Sequence, residues 1–107
     1  MYIHDATIKN EGGRIIKKVV GFEWDNGNKG KNLLKHQIKN EECEEVFFDQ
    51  NKKILKDNIH SIKEERYILL GKTKKQKLIF LVFTIRKNQI RVISARDLNK
   101  KEYKLYE

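Results

Sequence analysis

The stretch Leu78-Ile79-Phe80-Leu81-Val82-Phe83-Thr84-Ile85 is apolar on both alternating faces of an extended chain. A segment of that kind belongs in the interior of a sheet, with neighbours on each side and cover above and below. It is predicted to be a central strand. Lys87-Asn88-Gln89 leaves room only for a tight hairpin, so Ile90 through Ala95 is the next antiparallel strand. Tyr67-Ile68-Leu69-Leu70 reads as a strand ending at Gly71, followed by a basic loop from Lys72 to Lys77. Lys53 to Asp57 reads as a short strand at an edge.

Helical signals flank this block. Asp25-Asn26-Gly27-Asn28 is a turn, and Lys29 to His36 reads as a short helix with Leu33 and Leu34 inward. Asn40 is a good N-cap for a second helix, whose Glu41, Glu42, Glu44 and Glu45 suit the positive helix N-terminus. Cys43, Val46 and Phe47, spaced i, i+3, i+4, form its buried stripe. Asn99 and Glu102 have capping-box spacing for a closing helix, which Tyr103 and Tyr106 help to pack. Phe22-Glu23-Trp24 alternates like a short strand. Arg14 to Val20, after the turn signal Gly12-Gly13, is either a strand or part of an N-terminal arm. The fold class is α+β: an antiparallel sheet of about four strands, packed with two N-terminal helices and one C-terminal helix.

The charge is unevenly placed. Twelve basic and three acidic residues fall in 66–107, a net +9 that equals the charge of the whole chain of 107 residues. A clustered positive surface attracts phosphates, which a diffuse one does not. Of 24 basic residues only five are Arg, and four of these (Arg66, Arg86, Arg91, Arg96) lie in the basic part. In a lysine-rich chain, Arg marks places where a planar, bidentate donor is wanted. One cysteine excludes an internal disulfide and suits a reducing compartment. No run of about 18 apolar residues spans a membrane, and Met1 to Asp5 lack the apolar start of a secretory signal, so a cytoplasmic location is expected.

Familiar catalytic motifs are missing. Gly27 and Gly30 match neither phosphate-binding glycine pattern, and no His-Glu-x-x-His or nucleophile elbow occurs. Asp97, Glu102 and Glu107 are the only acids in the basic part, too few for the carboxylate cluster of a metal-dependent nuclease. No metal or cofactor is expected. A nuclease built from this chain would use Arg and Lys to hold phosphate, and His, Glu or Tyr for proton transfer. Arg86 and Arg96, at strand ends, are candidates for the phosphate. Glu65, His36 and His60 are candidates for the protons, with no order among them. Bland roles compete in each case: a solvated or helix-packing arginine, a Glu65–Arg66 surface pair, a helix-terminal His36, a loop-surface His60.

Several blocks, taken in order, resemble the BrnT family of bacterial toxins from toxin–antitoxin modules. They are Phe22-Glu23-Trp24-Asp25, Gly27-Asn28, Lys31-Asn32, Lys35-His36, Glu42, Glu45-Val46-Phe47, Asp57, His60-Ser61, Glu65-Arg66-Tyr67, Gly71, Phe83-Thr84-Ile85-Arg86, Ile90 through Asp97, and Asn99 through Glu102. The resemblance covers residues 22–107 as a BrnT-like domain and leaves 1–21 as an N-terminal extension or first strand. It implies a RelE-like fold and a metal-independent endoribonuclease that inhibits translation. It also implies a BrnA-like antitoxin with a ribbon-helix-helix segment, through which the pair binds operator DNA. RNA binding is then expected at Lys35, Arg66, Arg91, Lys100 and Lys101, and an acidic antitoxin segment over the face bearing Arg86, Arg91 and Arg96. Gln37 stands where relatives often carry a glycine that stops the helix. Two other readings of the same chain are a non-catalytic RNA-binding or ribosome-associated module, and a DNA-binding co-repressor active only with its antitoxin.

Overall fold

A computed structural model of the chain describes residues 6–9, 15–19 and 21–107, with side chains at Val19 and throughout 21–107. In chain order the elements are β1 (Ala6–Lys9), β2 (Ile15–Val19), β3 (Gly21–Phe22), α1 (Lys31–His36), α2 (Asn40–Glu45) running into a 3-10 turn (Val46–Phe48), β4 (Lys53–Lys56), β5 (Arg66–Lys72), β6 (Leu78–Arg86), β7 (Gln89–Asp97) and α3 (Tyr103–Tyr106). β1 and β2 form a two-stranded antiparallel sheet. The other strands form a second sheet in the order β3-β7-β6-β5-β4. β2 falls inside the strand expected over Arg14 to Val20; Gly12, Gly13, Arg14 and Val20 lie outside the described residues.

The architecture is α+β, but the main sheet has five strands and is mixed. The expected four are antiparallel, and β3 adds to β7 in parallel through Gly21↔Gln89 and Phe22↔Ile90. Two residues of pairing are too few to read from a pattern. The β6–β7 hairpin turns through Lys87 and Asn88, both at positive φ (50° and 64°), as a two-residue loop matched to strand twist requires. β7 bulges at Ile93, since Val82 pairs with Ser94 while Phe83 pairs with Val92.

The core lies on one face of the sheet. Ile79, Leu81 and Phe83 of β6 are fully buried with Leu69, Ile90, Val92 and Ala95, under Ile38, Cys43, Val46 and Phe47. Phe47 meets Phe22 and Phe83 edge-on, with centroids 5.3 and 5.0 Å away. Truncating a buried aromatic of this kind costs about 3–5 kcal/mol. Gly71 lets the 3-10 turn sit directly on β5: a Cβ there would lie 2.9 Å from Val46 Cβ. β6 is central as expected, but its second face is only partly covered, with Leu78, Phe80 and Val82 half-buried.

α1 corrects another expectation. Leu33 and Leu34 point outward, 47% and 89% exposed, and the buried residue is Asn32. The helix does not pack apolar side chains into the core; it closes the free edge of β7. Ala95 N–H donates to Asn32 Oδ1 (3.0 Å), and Asn28 Nδ2 donates to the Val92 carbonyl (3.1 Å). α1 stops at Gln37, which takes the left-handed conformation (φ 57°) in place of glycine at a cost of roughly 1 kcal/mol. The second helix is capped one residue earlier than expected, at Lys39, whose N–H donates to Glu42 (3.0 Å). Asn99 and Glu102 bond each other in both directions (each 3.0 Å), but they close the turn before the last helix, which begins at Tyr103 with Glu102 rather than Asn99 at its N-cap.

Candidate functional site

The loop between β4 and β5 is tied to the start of β5 by a main-chain bond and by the Ser61 side chain. Asp57 N–H donates to the Arg66 carbonyl (2.8 Å). Ser61 donates to the Asp57 carbonyl and accepts from Arg66 N–H. Asp57 in turn accepts from the His60 backbone (3.2 Å) and meets His60 Nδ1 at 2.9 Å. Desolvation pushes the Asp57 carboxyl up, but the hydrogen bonds from His60 outweigh it and hold it below its ordinary 3.8. An ionised Asp57 fixes Nδ1 as the donor and leaves Nε2 of His60 open.

His60 and Arg66 share a hollow of about 370 Å³ with Ile59, Ile62, Lys63 and Glu64. Arg66 is the exception among the arginines described. Its Nε is buried without a hydrogen-bond partner, and no carboxylate lies within ion-pair distance of its guanidinium among the described residues. Leaving a buried charged donor unpaired is costly unless a ligand supplies the acceptor. Arg86, at the end of β6, is held by both oxygens of Glu64 (3.2 and 3.1 Å).

A second, smaller hollow of about 160 Å³ adjoins the first and shares Glu64; Glu65, Tyr67, Thr84 and Ile85 complete it. Tyr67 OH donates to Glu65 Oε2 (2.7 Å), and Lys56 Nζ approaches Oε1 at 3.4 Å. Burial, then the hydrogen bond and charge of Glu65, push the Tyr67 phenol up to about 12. Tyr67 therefore stays protonated and serves as a fixed donor to Glu65. Thr84 OH donates to the Glu65 carbonyl (2.7 Å), pinning the backbone between the two hollows.

Other expected residues are placed differently. Arg91, opposite Thr84, is clamped by Asp25 (2.8 and 2.9 Å) and Glu23 (2.9 Å). The Asp25 bond above all raises its pKa further, against desolvation. Arg96 grips both oxygens of Glu102 (2.8 and 2.7 Å) and lies over the Phe80 ring at 4.0 Å. It pairs with Phe80 where Arg86 pairs with Gln89, so six β6 positions, roughly 20 Å, separate the two arginines. They do not share one phosphate. Lys100 and Lys101 are exposed near Arg96 in the turn before α3. Lys35 and His36 end α1 at that same end of the sheet, where Lys77 Nζ reaches the Gln37 carbonyl (3.2 Å).

The structure thus gathers Glu65, Arg66, His60, Arg86 and Arg91 at one end of the sheet, and leaves His36, Lys35, Arg96, Lys100 and Lys101 at the other. Tyr67, Lys56, Glu64, Asp57 and Thr84 were missed as neighbours of the first group. The i, i+2 spacing of Glu65 and Tyr67 on a strand was the available signal. Among the described residues no three His, Cys, Asp or Glu side chains converge, and no helix is long and apolar enough to cross a membrane.

The sequence model of one family, described as the ribonuclease toxin BrnT of type II toxin–antitoxin systems, matches residues 24–102. No curated protein matches the chain.

Proposed function

The chain belongs to the BrnT family of type II toxin–antitoxin ribonuclease toxins, and on that footing we propose that it cleaves RNA at the Glu65–Arg66 end of the sheet, without a metal ion, and so inhibits translation. The observation that carries the site is the unpaired Arg66 guanidinium in one hollow with the Asp57-bound His60. Arg66 binds the scissile phosphate and the charge that develops on it, and Arg86 at the mouth adds a second cation by exchanging Glu64 for phosphate. His60, in the same hollow as Arg66, accepts the proton of the 2′-hydroxyl at Nε2 as that oxygen attacks phosphorus, while Glu65 lies across the strand with Tyr67 and Lys56. The 5′-oxygen leaves with the proton that His60 has taken up, which gives a 2′,3′-cyclic phosphate and a free 5′-hydroxyl. The metal-free form is supported by the employment of the nearby carboxylates: Glu64 binds Arg86, and Glu65 binds Tyr67 and Lys56.

The family implies an antitoxin partner and an RNA substrate. We take the domain as residues 22–107, the fold as RelE-like, and the antitoxin as a BrnA-like ribbon-helix-helix protein that brings two toxin copies to operator DNA. Arg86, Arg91 and Arg96 already have carboxylates, so an acidic antitoxin segment gains most at Arg66. The deciding experiment incubates purified protein with RNA and identifies the product ends. Cyclic phosphate termini from wild type, lost in Arg66→Ala and His60→Ala, are expected; binding without cleavage would overturn the enzyme reading in favour of a binding module.

A further inference from the structure

At the opposite end of β5 from Arg66, a hollow of about 680 Å³ opens between the 3-10 turn, the end of β5 and α3. A smaller hollow of about 350 Å³ continues it past Asn51 and Lys52. Phe48 stands on the rim 51% exposed, although Val46 and Phe47 of the same turn are buried. Tyr106 forms another wall. Its hydroxyl donates to Asp49 (2.6 Å), and the Lys72 ammonium lies 5.7 Å from its ring centroid.

Two of the acids here, Glu45 and Asp49, are committed to the fold, and Glu107 is exposed at the smaller hollow. Glu45 accepts from Lys74 N–H (3.0 Å), and Asp49 accepts from Lys72 N–H (2.8 Å) as well as from Tyr106. Lys52, Lys72 and Lys74, by contrast, have no carboxylate within ion-pair distance among the described residues. The groove combines an open aromatic face with four lysines, Lys52, Lys53, Lys72 and Lys74, set against three carboxylates, Glu45, Asp49 and Glu107. Single-stranded nucleic acid is held by that combination, bases on rings and phosphates on cations.

We infer that this groove is a second RNA-contacting subsite, in which an unpaired base stacks on Phe48 while Lys72 and Lys74 hold the adjoining phosphates. The inference rests on RNA being the substrate of the Arg66 end. Lys72 lies six β5 positions from Arg66, roughly 20 Å along the strand. A dinucleotide cannot reach both places, and a single strand of about eight nucleotides, an ordinary site size, can.

The test uses a fluorescent octanucleotide, blocked by 2′-O-methylation, and the matching dinucleotide, with affinity read by anisotropy. Wild type should bind the octanucleotide far more tightly than the dinucleotide. Phe48→Ala should weaken octanucleotide binding about tenfold, the usual effect of losing one stacked base, and Phe48→Trp should restore it. Lys72→Ala with Lys74→Ala should lower the salt dependence by about one unit of slope. Wild-type octanucleotide affinity in these variants, with thermal melts showing them folded, overturns the subsite alone. Failure of wild type to bind either RNA brings down the RNA reading and the subsite with it. Loss of antitoxin binding with RNA affinity intact would assign the groove to the protein partner and refute the subsite.

Discussion

Arg66 and Thr84 face each other across β5 and β6, and the Thr84 hydroxyl fixes the carbonyl of Glu65, the residue just before Arg66. That contact sets the position of a guanidinium that has no acceptor of its own. Arg66→Ala is expected to lower RNA cleavage by about a hundredfold, the scale seen when an oriented charged donor is lost. Arg66→Lys should recover little, because a point charge does not replace a planar fork. Single-turnover cleavage by variants with a native melting profile decides it; wild-type rates would remove Arg66 from the site.

Arg96 should behave differently. Its bonds to Glu102 and its stacking on Phe80 tie β7 to the turn before α3. Arg96→Ala is expected to cost about 1 kcal/mol or less, since the pair is partly exposed, and to lower Tm by a few degrees. Glu102→Ala should cost more than Arg96→Ala, because Glu102 also accepts from Asn99 N–H. A tenfold fall in cleavage at a temperature where the variant is folded would return Arg96 to the chemistry.

Chelation is a direct test of the metal-free mechanism. Cleavage should survive excess EDTA; activity abolished by EDTA and restored by magnesium would sink it.

Among the described residues, Asp25, Asp49 and Asp57 carry folded values below their ordinary 3.8, and Glu102 one below 4.5. The folded chain therefore binds fewer protons at these groups than the unfolded chain. Their contribution is fully present above about pH 4.5 and is lost as pH falls through the folded values. Tm measured at constant ionic strength should hold level between about pH 5 and 7 and decline below. A rise in Tm on acidification below about pH 4 would contradict this.

Strong periodicity made much of the fold legible. One face of the apolar β6 run and the Cys43-Val46-Phe47 stripe bury as their spacing requires, and the tight hairpin forms where Lys87-Asn88-Gln89 puts it. α1 was misread because its task is polar: amides on a strand edge leave no hydrophobic signature, so the adjacent leucines drew the eye inward. The arginine pair failed on register. Around a two-residue turn, a residue seven positions past Gln89 must lie near the far end of the hairpin, away from Arg86. Arg66 looked like half of a surface pair with Glu65, yet neighbours on a strand point to opposite faces, and only packing shows that Glu65 belongs to Tyr67.

Asn28 and Asn32 give the sheet a direction of growth. The β7 flank, from Ile90 to Ala95, is bonded to Glu23 N–H and to these two amides, so another strand finds its backbone groups taken there. The β4 flank ends the sheet with two lysines, Lys53 and Lys56. Along this stretch of β7, two side chains that look in the sequence like ordinary turn residues do the work of a neighbouring strand and close the edge to further pairing.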